Sequence, residues 1–332
     1  MTTPFRLGII GTGIVAGLHL DAVDALPDVE LVAVCDVDAT RANDAAKRFG
    51  ARAFTDYREM LTAERLDGVV ITSPHALHTE MALAAAKAGV AILLEKPMTT
   101  TLADADAVIA GCEEAGVTLA IGHVLRFDGA TRAAAAAIES GELGKPVAIL
   151  QRRSSDYRVG TRPNWFFDPV MAGGGIAMNV GPHGLDKIQW LGGGPIVEVT
   201  GKTWNRNGAQ IETDVIATAR LASGVTASLT LTSALIPYVD ETLVTCEKGS
   251  VRCLGSEGTL VSRGGPEELV SPPTDIAVAF VAQLADFVDA VRNKRPPLVS
   301  GAYGRSVIAA ILGIYESSAT GRPVTIDAPK TE

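Results

Sequence analysis

Two stretches of the 332-residue chain carry the residue types that acid–base and electrostatic chemistry need. Glu95-Lys96-Pro97 ends the apolar run Val90 to Leu94. A run that apolar predicts a strand buried on both faces, and such a strand finishes in two opposite charges where they meet a crevice. The carboxyl ends of strands in open α/β sheets are where ligands bind. A lysine there places an ammonium against a developing alkoxide; the other reading is a solvated ion pair at a strand end, which contributes little. The second stretch, Gly173 to Gly193, reads as a helix after three glycines and carries Asn179, His183 four residues on, and Asp186 three beyond that. On one helix these share a face, so amide and imidazole project together and the carboxylate orients the ring. Pro182 removes one ladder bond and predicts a kink or a helix start. An amphipathic helix with one buried histidine fits the same pattern.

A glycine pattern, GTGIVAG from Gly11 to Gly17, follows the apolar run Phe5 to Ile10 and opens an amphipathic stretch to Leu26. In that setting Gly11 permits a tight turn, Gly13 lets the backbone approach a pyrophosphate, and Ala16 lets the helix pack on its strand. Thr12 and Ile14 complete the loop. The next apolar run, Leu31 to Cys35, ends in Asp36, about twenty residues beyond the glycines, where a carboxylate accepts from an adenosine ribose and repels a 2′-phosphate. NAD is therefore expected over NADP, although Arg41 lies close enough to favour the phosphorylated form. The turn TSPHALH, Thr72 to His78, stops a strand at Pro74 and sits where it would border the nicotinamide. His75 and His78 are candidates there, and a histidine at a helix start is also a common capping or solvent-facing group. The expected cofactor set is Gly11, Thr12, Gly13, Ile14, Asp36, Thr72, Ser73, Pro74, His78, Glu95 and Lys96.

These residues need a frame, and the pattern supplies alternating elements. Strands are expected at residues 5–10, 31–35, 52–54, 68–72, 90–94 and 118–122, with helices following the glycine loop and at 39–49, 56–62, 76–88 and 102–115. That alternation is a doubly wound parallel sheet of the Rossmann type, over residues 1–123. Beyond His123 the pattern changes. A helix at 128–140 leads to long strands at 146–154, 197–204, 215–221, 225–232 and 242–247, with hairpin signals at Ser223-Gly224 and Lys248-Gly249. An α+β domain with a largely antiparallel open sheet is expected over residues 124–332, closed by helices at 276–293 and 303–320. Val225, Ala227, Leu229 and Leu231 alternate with Thr226, Ser228, Thr230 and Thr232, and the threonine-rich face is suited to solvent or to a second subunit.

Composition is that of a soluble globular chain, 47% hydrophobic and 20% charged. With neither a membrane-length apolar run nor a signal-peptide pattern, a cytoplasmic protein without membrane association is expected. Cys35, Cys112, Cys246 and Cys253 have no metal-ligand spacing, so idle buried thiols and no metal are expected. Net charge is -9, of which residues 1–123, with 9 Lys and Arg against 17 Asp and Glu, hold -8. Nucleic acid is excluded as a partner by the lack of clustered positive charge. Phosphates of a ligand must be held by backbone N–H groups.

Taken together, the order and spacing of GTGIVA, Asp36, TSPHALH, EKP, GHVLRF (Gly122 to Phe127), HGLD (His183 to Asp186) and YESSATGRPV (Tyr315 to Val324) resemble the Gfo/Idh/MocA oxidoreductase family, nearly end to end. The resemblance implies a Rossmann domain carrying NAD or NADP, and a second domain whose sheet supports dimers or tetramers. It also implies a sugar, sugar derivative or cyclitol as substrate. It carries over to Lys96 and His183 the roles of flanking the reacting carbon. The family's aspartate four residues before the histidine is Asn179 here, which can hydrogen-bond a hydroxyl but cannot take a proton. Asp186 is then the nearest carboxylate by sequence. Arg126, Arg153, Tyr157, Arg158, Asn164 and Trp165 precede the His183 helix and are expected to bind substrate together with Asn179 and His183; Trp165 suits either a pyranose face or a core. The expectation is an NAD-dependent sugar or polyol dehydrogenase. Two alternatives share the fold: an enzyme that oxidises a sugar transiently to cleave a glycoside, and a non-catalytic sensor. The presence of both Lys96 and His183 argues against the sensor.

Overall fold

β1 (Phe5–Ile10) has every residue but Arg6 buried, and a strand so apolar takes a central place in its sheet. The computed structural model describes residues 3–206, 208–233, 238–255 and 257–327. In its first sheet β1 is joined by β2 (Val29–Cys35), β3 (Arg52–Phe54), β4 (Gly68–Ile71), β5 (Ala91–Glu95) and β6 (Leu119–Gly122), in the order β3-β2-β1-β4-β5-β6. Every pairing is parallel. The order reverses between β1 and β4, which is the switch point where doubly wound sheets take their ligands. Helices α1 (Ile14–Asp24), α2 (Ala39–Phe49), α3 (Tyr57–Ala63), α4 (His78–Lys87) and α5 (Leu102–Ala115) alternate with the strands. Local chemistry fixes their ends. Asp38, Asp56 and Thr101 accept first-turn N–H groups of α2, α3 and α5, and Gly116 closes α5 in the left-handed region. The α-helix after Pro74 begins at His78, two residues later than expected, because His75–Leu77 forms a tighter turn first.

The second sheet has nine strands. α6 (Gly129–Glu139), capped by Asp128, precedes β7 (Pro146–Ser155). Then come α7 (Pro169–Ala172), α8 (Ile176–Asn179), α9 (Gly181–Leu191), β8 (Ile196–Trp204), β9 (Asp214–Leu221), β10 (Thr226–Ser233), β11 (Val239–Cys246), β12 (Gly249–Leu254), β13 (Gly258–Ser262) and β14 (Glu268–Ser271). α10 (Ile276–Asn293), α11 (Gly301–Thr320) and β15 (Val324–Thr325) end the described chain. The order is β14-β13-β12-β11-β7-β10-β9-β8-β15, with β7 and β10 parallel and the other pairs antiparallel. Both expected hairpins form. β12 was implied only by the second hairpin signal, and β13, β14 and β15 were not expected, since short strands broken by glycine, serine and arginine carry little alternation. One face of β10, with Ala227, Leu229 and Leu231, is buried, and α8 and α9 pack on that side. The opposite face carries Thr226, Ser228, Thr230 and Thr232.

The chain divides into two units: Met1–Val124 with Ile276–Gly304, and Leu125–Asp275 with Arg305–Glu332. The first boundary falls one residue after the expected one, but α10 and the first turn of α11 return to the first unit. The reason is aromatic packing. Phe287 is fully buried and meets Phe5 edge-on at 6.0 Å, Phe280 meets His19 edge-on at 4.9 Å, and a Cβ on Gly68 would come within 2.9 Å of the Phe287 ring. All four cysteines are buried, as expected, and burial pushes the Cys35 thiol up to about 12 and the Cys112 thiol to about 11. No helix among the described residues is long and apolar enough to cross a membrane.

Candidate functional site

β1 delivers the chain into a turn that only glycine fits. Gly11 has φ +91°, and a Cβ there would lie 3.0 Å from the Thr72 carbonyl and the Ser73 nitrogen. Thr72 Oγ1 donates to the Gly11 carbonyl at 2.7 Å, pinning the loop to the end of β4. Gly13 is different: it is the N-cap of α1, no side chain caps the helix, and a Cβ there would meet nothing within 4 Å. The start of α1 is thus uncrowded and uncapped by any side chain, and Ile14 there is 79% exposed. Uncapped donors at a helix N-terminus with room in front fit a pyrophosphate.

Asp36 follows β2 and is buried within a dense network. Its Oδ2 accepts from Thr12 N and Thr12 Oγ1, both at 2.8 Å, and its Oδ1 accepts from Asp38 N at 2.9 Å and Arg41 Nη2 at 2.6 Å. Burial alone would raise the carboxyl, but the Arg41, Asp38 and Thr12 bonds hold it below the usual carboxylate value. These four donors occupy the four lone-pair sites of a carboxylate, so a ribose must displace one of them. Arg41 is the least anchored, with its side chain 53% exposed.

Lys96 leaves β5 half-buried, and the Lys96–Pro97 peptide bond is cis. Behind it, Glu95 is buried. Its Oε1 lies 2.9 Å from His19 Nε2 and its Oε2 accepts from Lys96 N at 3.0 Å. Burial works to raise Glu95, but His19 and Lys96 keep it below its ordinary value, so the carboxylate is an ionised anchor for the lysine. His19 was not a sequence candidate, because an α1 position facing the core looks like any other buried residue. His78 is fully buried, with Nδ1 2.9 Å from the Pro97 carbonyl and Nε2 2.9 Å from the Ser73 carbonyl. Burial lowers its pKa against the pull of those two carbonyls. The ring therefore ties the Thr72–Pro74 turn to the chain just after Lys96. His75 is also buried, its ring 5.9 Å from that of His78, so neither histidine is the solvent-facing group the sequence allowed.

In the second unit, the single helix expected over residues 173–193 is two. α8 ends at Asn179, and α9 begins at Gly181 with Pro182 in its first turn, where a missing N–H does no harm. Val180 between them stays in the right-handed region, with His183 N donating to its carbonyl at 3.2 Å. Asn179 and His183 therefore keep nearly the spacing of one helical turn. Every residue of α9 is buried except His183 and Trp190, which mark its open side. Asp186 accepts from Arg126 Nε at 2.7 Å, and the Arg126 guanidinium stacks on Trp190 at 4.6 Å. Lys187 donates to Asp240 at 2.7 Å, where Arg153 approaches to 3.4 Å and Gln151 donates at 3.1 Å. Burial would raise Asp240, but Lys187 and Arg153 hold it below its usual value.

The candidates after β7 fall into different settings. Tyr157 is fully buried, and burial pushes its phenol up. Arg158 is exposed and grips Asp156 with two bonds of 2.6 Å. Asn164 is exposed, and Trp165 stacks on Phe166 with centroids 3.8 Å apart. Glu212, not found by sequence reasoning, is a half-buried carboxylate that accepts from Gly175 N, Ala177 N and the Tyr315 hydroxyl. Burial pushes its carboxyl up despite those bonds. It caps α8 from a loop 37 residues from Gly175, a pairing that local sequence does not announce.

Residues 5–123 match the family described as "Oxidoreductase family, NAD-binding Rossmann fold", and residues 131–252 match the "GFO/IDH/MocA C-terminal domain". D-apiose dehydrogenase of Paraburkholderia graminis is 30% identical over 99% of this chain and 91% of its own. Myo-inositol 2-dehydrogenase of Thermotoga maritima is 26% identical, over 93% and 94%. The crystal structure of GenD2 from gentamicin A biosynthesis, in complex with NAD, has a TM-score of 0.89 at 25% identity, over 99% of this chain and 98% of that one.

Proposed function

The chain belongs to the Gfo/Idh/MocA oxidoreductase family, and on that premise we propose that it is an NAD-dependent dehydrogenase of a sugar, sugar derivative or cyclitol hydroxyl. The observation that carries the reading is Lys96, held at the mouth of β5 by an ionised Glu95, in the same sheet as an uncapped glycine loop that fits a dinucleotide. Bound nicotinamide would accept the hydride. Lys96 would hold the substrate oxygen and stabilise its developing charge, and His183 would take the hydroxyl proton. Asn179 would orient a hydroxyl without taking a proton. Following NADH formation across inositols, aldoses and glycosides tests this: accumulation of free NADH with a polyhydroxylated substrate supports it, and no accumulation with any of them sinks it. Glycoside cleavage without free NADH would point instead to transient oxidation.

The preference for NAD rests on Asp36, and its strength on Arg41. When a ribose displaces Arg41 from Asp36, the released guanidinium is placed to meet a 2′-phosphate. Arg41→Ala is therefore expected to weaken NADP binding about tenfold, roughly 1.4 kcal/mol, while leaving NAD within about twofold. Titrating both cofactors by fluorescence checks it; NADP binding as tightly as NAD to the unaltered protein would overturn the preference.

The second sheet supports a homodimer or homotetramer. Across its outer face Thr200, Thr218, Ser228, Leu150 and Leu243 lie in register, and Leu150 and Ile216 are each more than half exposed. An open sheet face of hydroxyl side chains with exposed Leu150 and Ile216 among them suits a self-complementary contact. Light scattering should give at least twice the chain mass, and Leu150→Glu should shift it toward one chain. A monomer at micromolar concentration of the unaltered protein rules this assembly out.

A further inference from the structure

Arg162 lies between β7 and α7, in a setting unlike that of the paired arginines around it. Its guanidinium carbon is 4.9 Å from the Tyr157 ring centroid and 5.7 Å from that of Phe166. Its Nε is buried without a hydrogen-bond partner, and no carboxylate among the described residues makes a salt bridge with it. Asp156 acts on it from nearby, but both oxygens of Asp156 are gripped by Arg158. Glu212 acts on Tyr157 from nearby, but its oxygens serve Gly175, Ala177 and Tyr315. Burial, with repulsion from Arg153, pushes the Arg162 guanidinium below its ordinary value. Arg153 in turn shares Asp240 with Lys187. Against the four cations Arg153, Arg158, Arg162 and Lys187 stand three carboxylates, Asp156, Glu212 and Asp240. A positive excess in a half-dry setting is costly unless a counter-charge arrives, and here it runs against a chain whose net charge is -9.

The excess lies near the proposed proton acceptor. Gln151 and Arg153 project from one face of β7, and a Cβ on Gly184 would lie 3.1 Å from Gln151. Lys187, one turn after His183, meets Arg153 at Asp240. Arg153 thus sits beside the turn that carries His183, and its charge is close enough to act on Arg162.

We propose that Arg162, with Arg153, forms an anion subsite for the substrate, and that the substrate is a sugar acid whose carboxylate is held there. A flat two-oxygen group meets a guanidinium's terminal nitrogens as a fork, and its charge is the one that Arg162 lacks. The assignment of the reacting hydroxyl rests on the dehydrogenase reading; the anion subsite does not. Calorimetric titration of the full chain with NADH present, using D-glucuronate, D-galacturonate, D-gluconate and D-galactonate against D-glucose, D-galactose, D-glucitol and galacturonate methyl ester, tests it. At least one acid should bind tenfold or more tightly than its uncharged counterpart, and added salt should weaken that acid alone. Arg162→Gln should abolish the difference, and Arg162→Lys should keep part of it. Equal binding of acids and neutral sugars, an unchanged preference in Arg162→Gln, or tighter binding of glucose 6-phosphate than of any carboxylate would overturn the proposal. Parallel NAD-reduction assays separate the two readings: acids that bind but are never oxidised remove the dehydrogenase and leave the subsite, while neutral sugars oxidised without any preference for acids do the reverse.

Discussion

Lys96→Ala is expected to lower turnover by roughly a hundredfold or more, a loss on the order of 3 kcal/mol of transition-state stabilisation, with NAD affinity changed by less than about threefold. The magnitude follows from what the ammonium does and from how firmly it is held. A charge that meets the substrate oxygen only as alkoxide develops acts on the rate and little on binding. Its backbone N–H donates to Glu95, and Glu95 is held ionised by His19 and Lys96 itself, so the chain that carries the ammonium is fixed at the end of β5 before substrate arrives. Lys96→Arg should recover little, because a planar fork does not replace a point charge in that position. Steady-state kinetics with each variant, and NAD titration alongside, give the comparison. A Lys96→Ala enzyme that keeps more than a tenth of its turnover would mean that the developing charge is stabilised by another group.

His183→Ala should reduce turnover to a similar extent, with a residual rate that rises with pH as hydroxide replaces the missing base. The side chain is one of two on α9 that are not buried, which is what a group exchanging protons with substrate and solvent requires. Asn179→Asp tests the same route from the other side. Asn179 is buried one turn before His183, and a carboxylate at that position favours imidazolium, so the acidic limb of the oxidation profile should move to higher pH. An unmoved limb in Asn179→Asp, together with full activity in His183→Ala, would show that the proton leaves by another path.

These variants concern residues legible in the sequence, and for the first unit the reason is local. Gly11, Asp36 and Lys96 sit at the ends of apolar runs, and a strand's end is marked by the run itself. The parallel sheet was legible for the same reason. The groups that hold these residues were not. His19 reaches Glu95 across 76 positions, and Glu212 reaches Gly175 across 37, so no window of periodicity contains either pair. Arg162 escaped notice differently: in sequence it is one of several arginines, and only its lack of a partner sets it apart. The break between α8 and α9 was half visible, since Pro182 announced a helix start without saying that Asn179 would end the helix before it.

The return of α10 to the first unit bears on how the protein is made. Between Val124 and Ile276 a ribosome must add roughly 150 residues, which at about 5–20 residues per second takes on the order of 10–30 s. Through that interval Phe5, His19 and the glycine surface at Gly68 lack the aromatic partners that later cover them. The nucleotide-binding half, although first to emerge, is thus among the last parts to be finished. A fragment ending at Val124 would display that apolar surface permanently and should aggregate. A soluble nucleotide-binding fragment would need residues 276–304 joined to it, because the chain leaves the first unit after Val124, returns to it at Ile276 and leaves it again after Gly304.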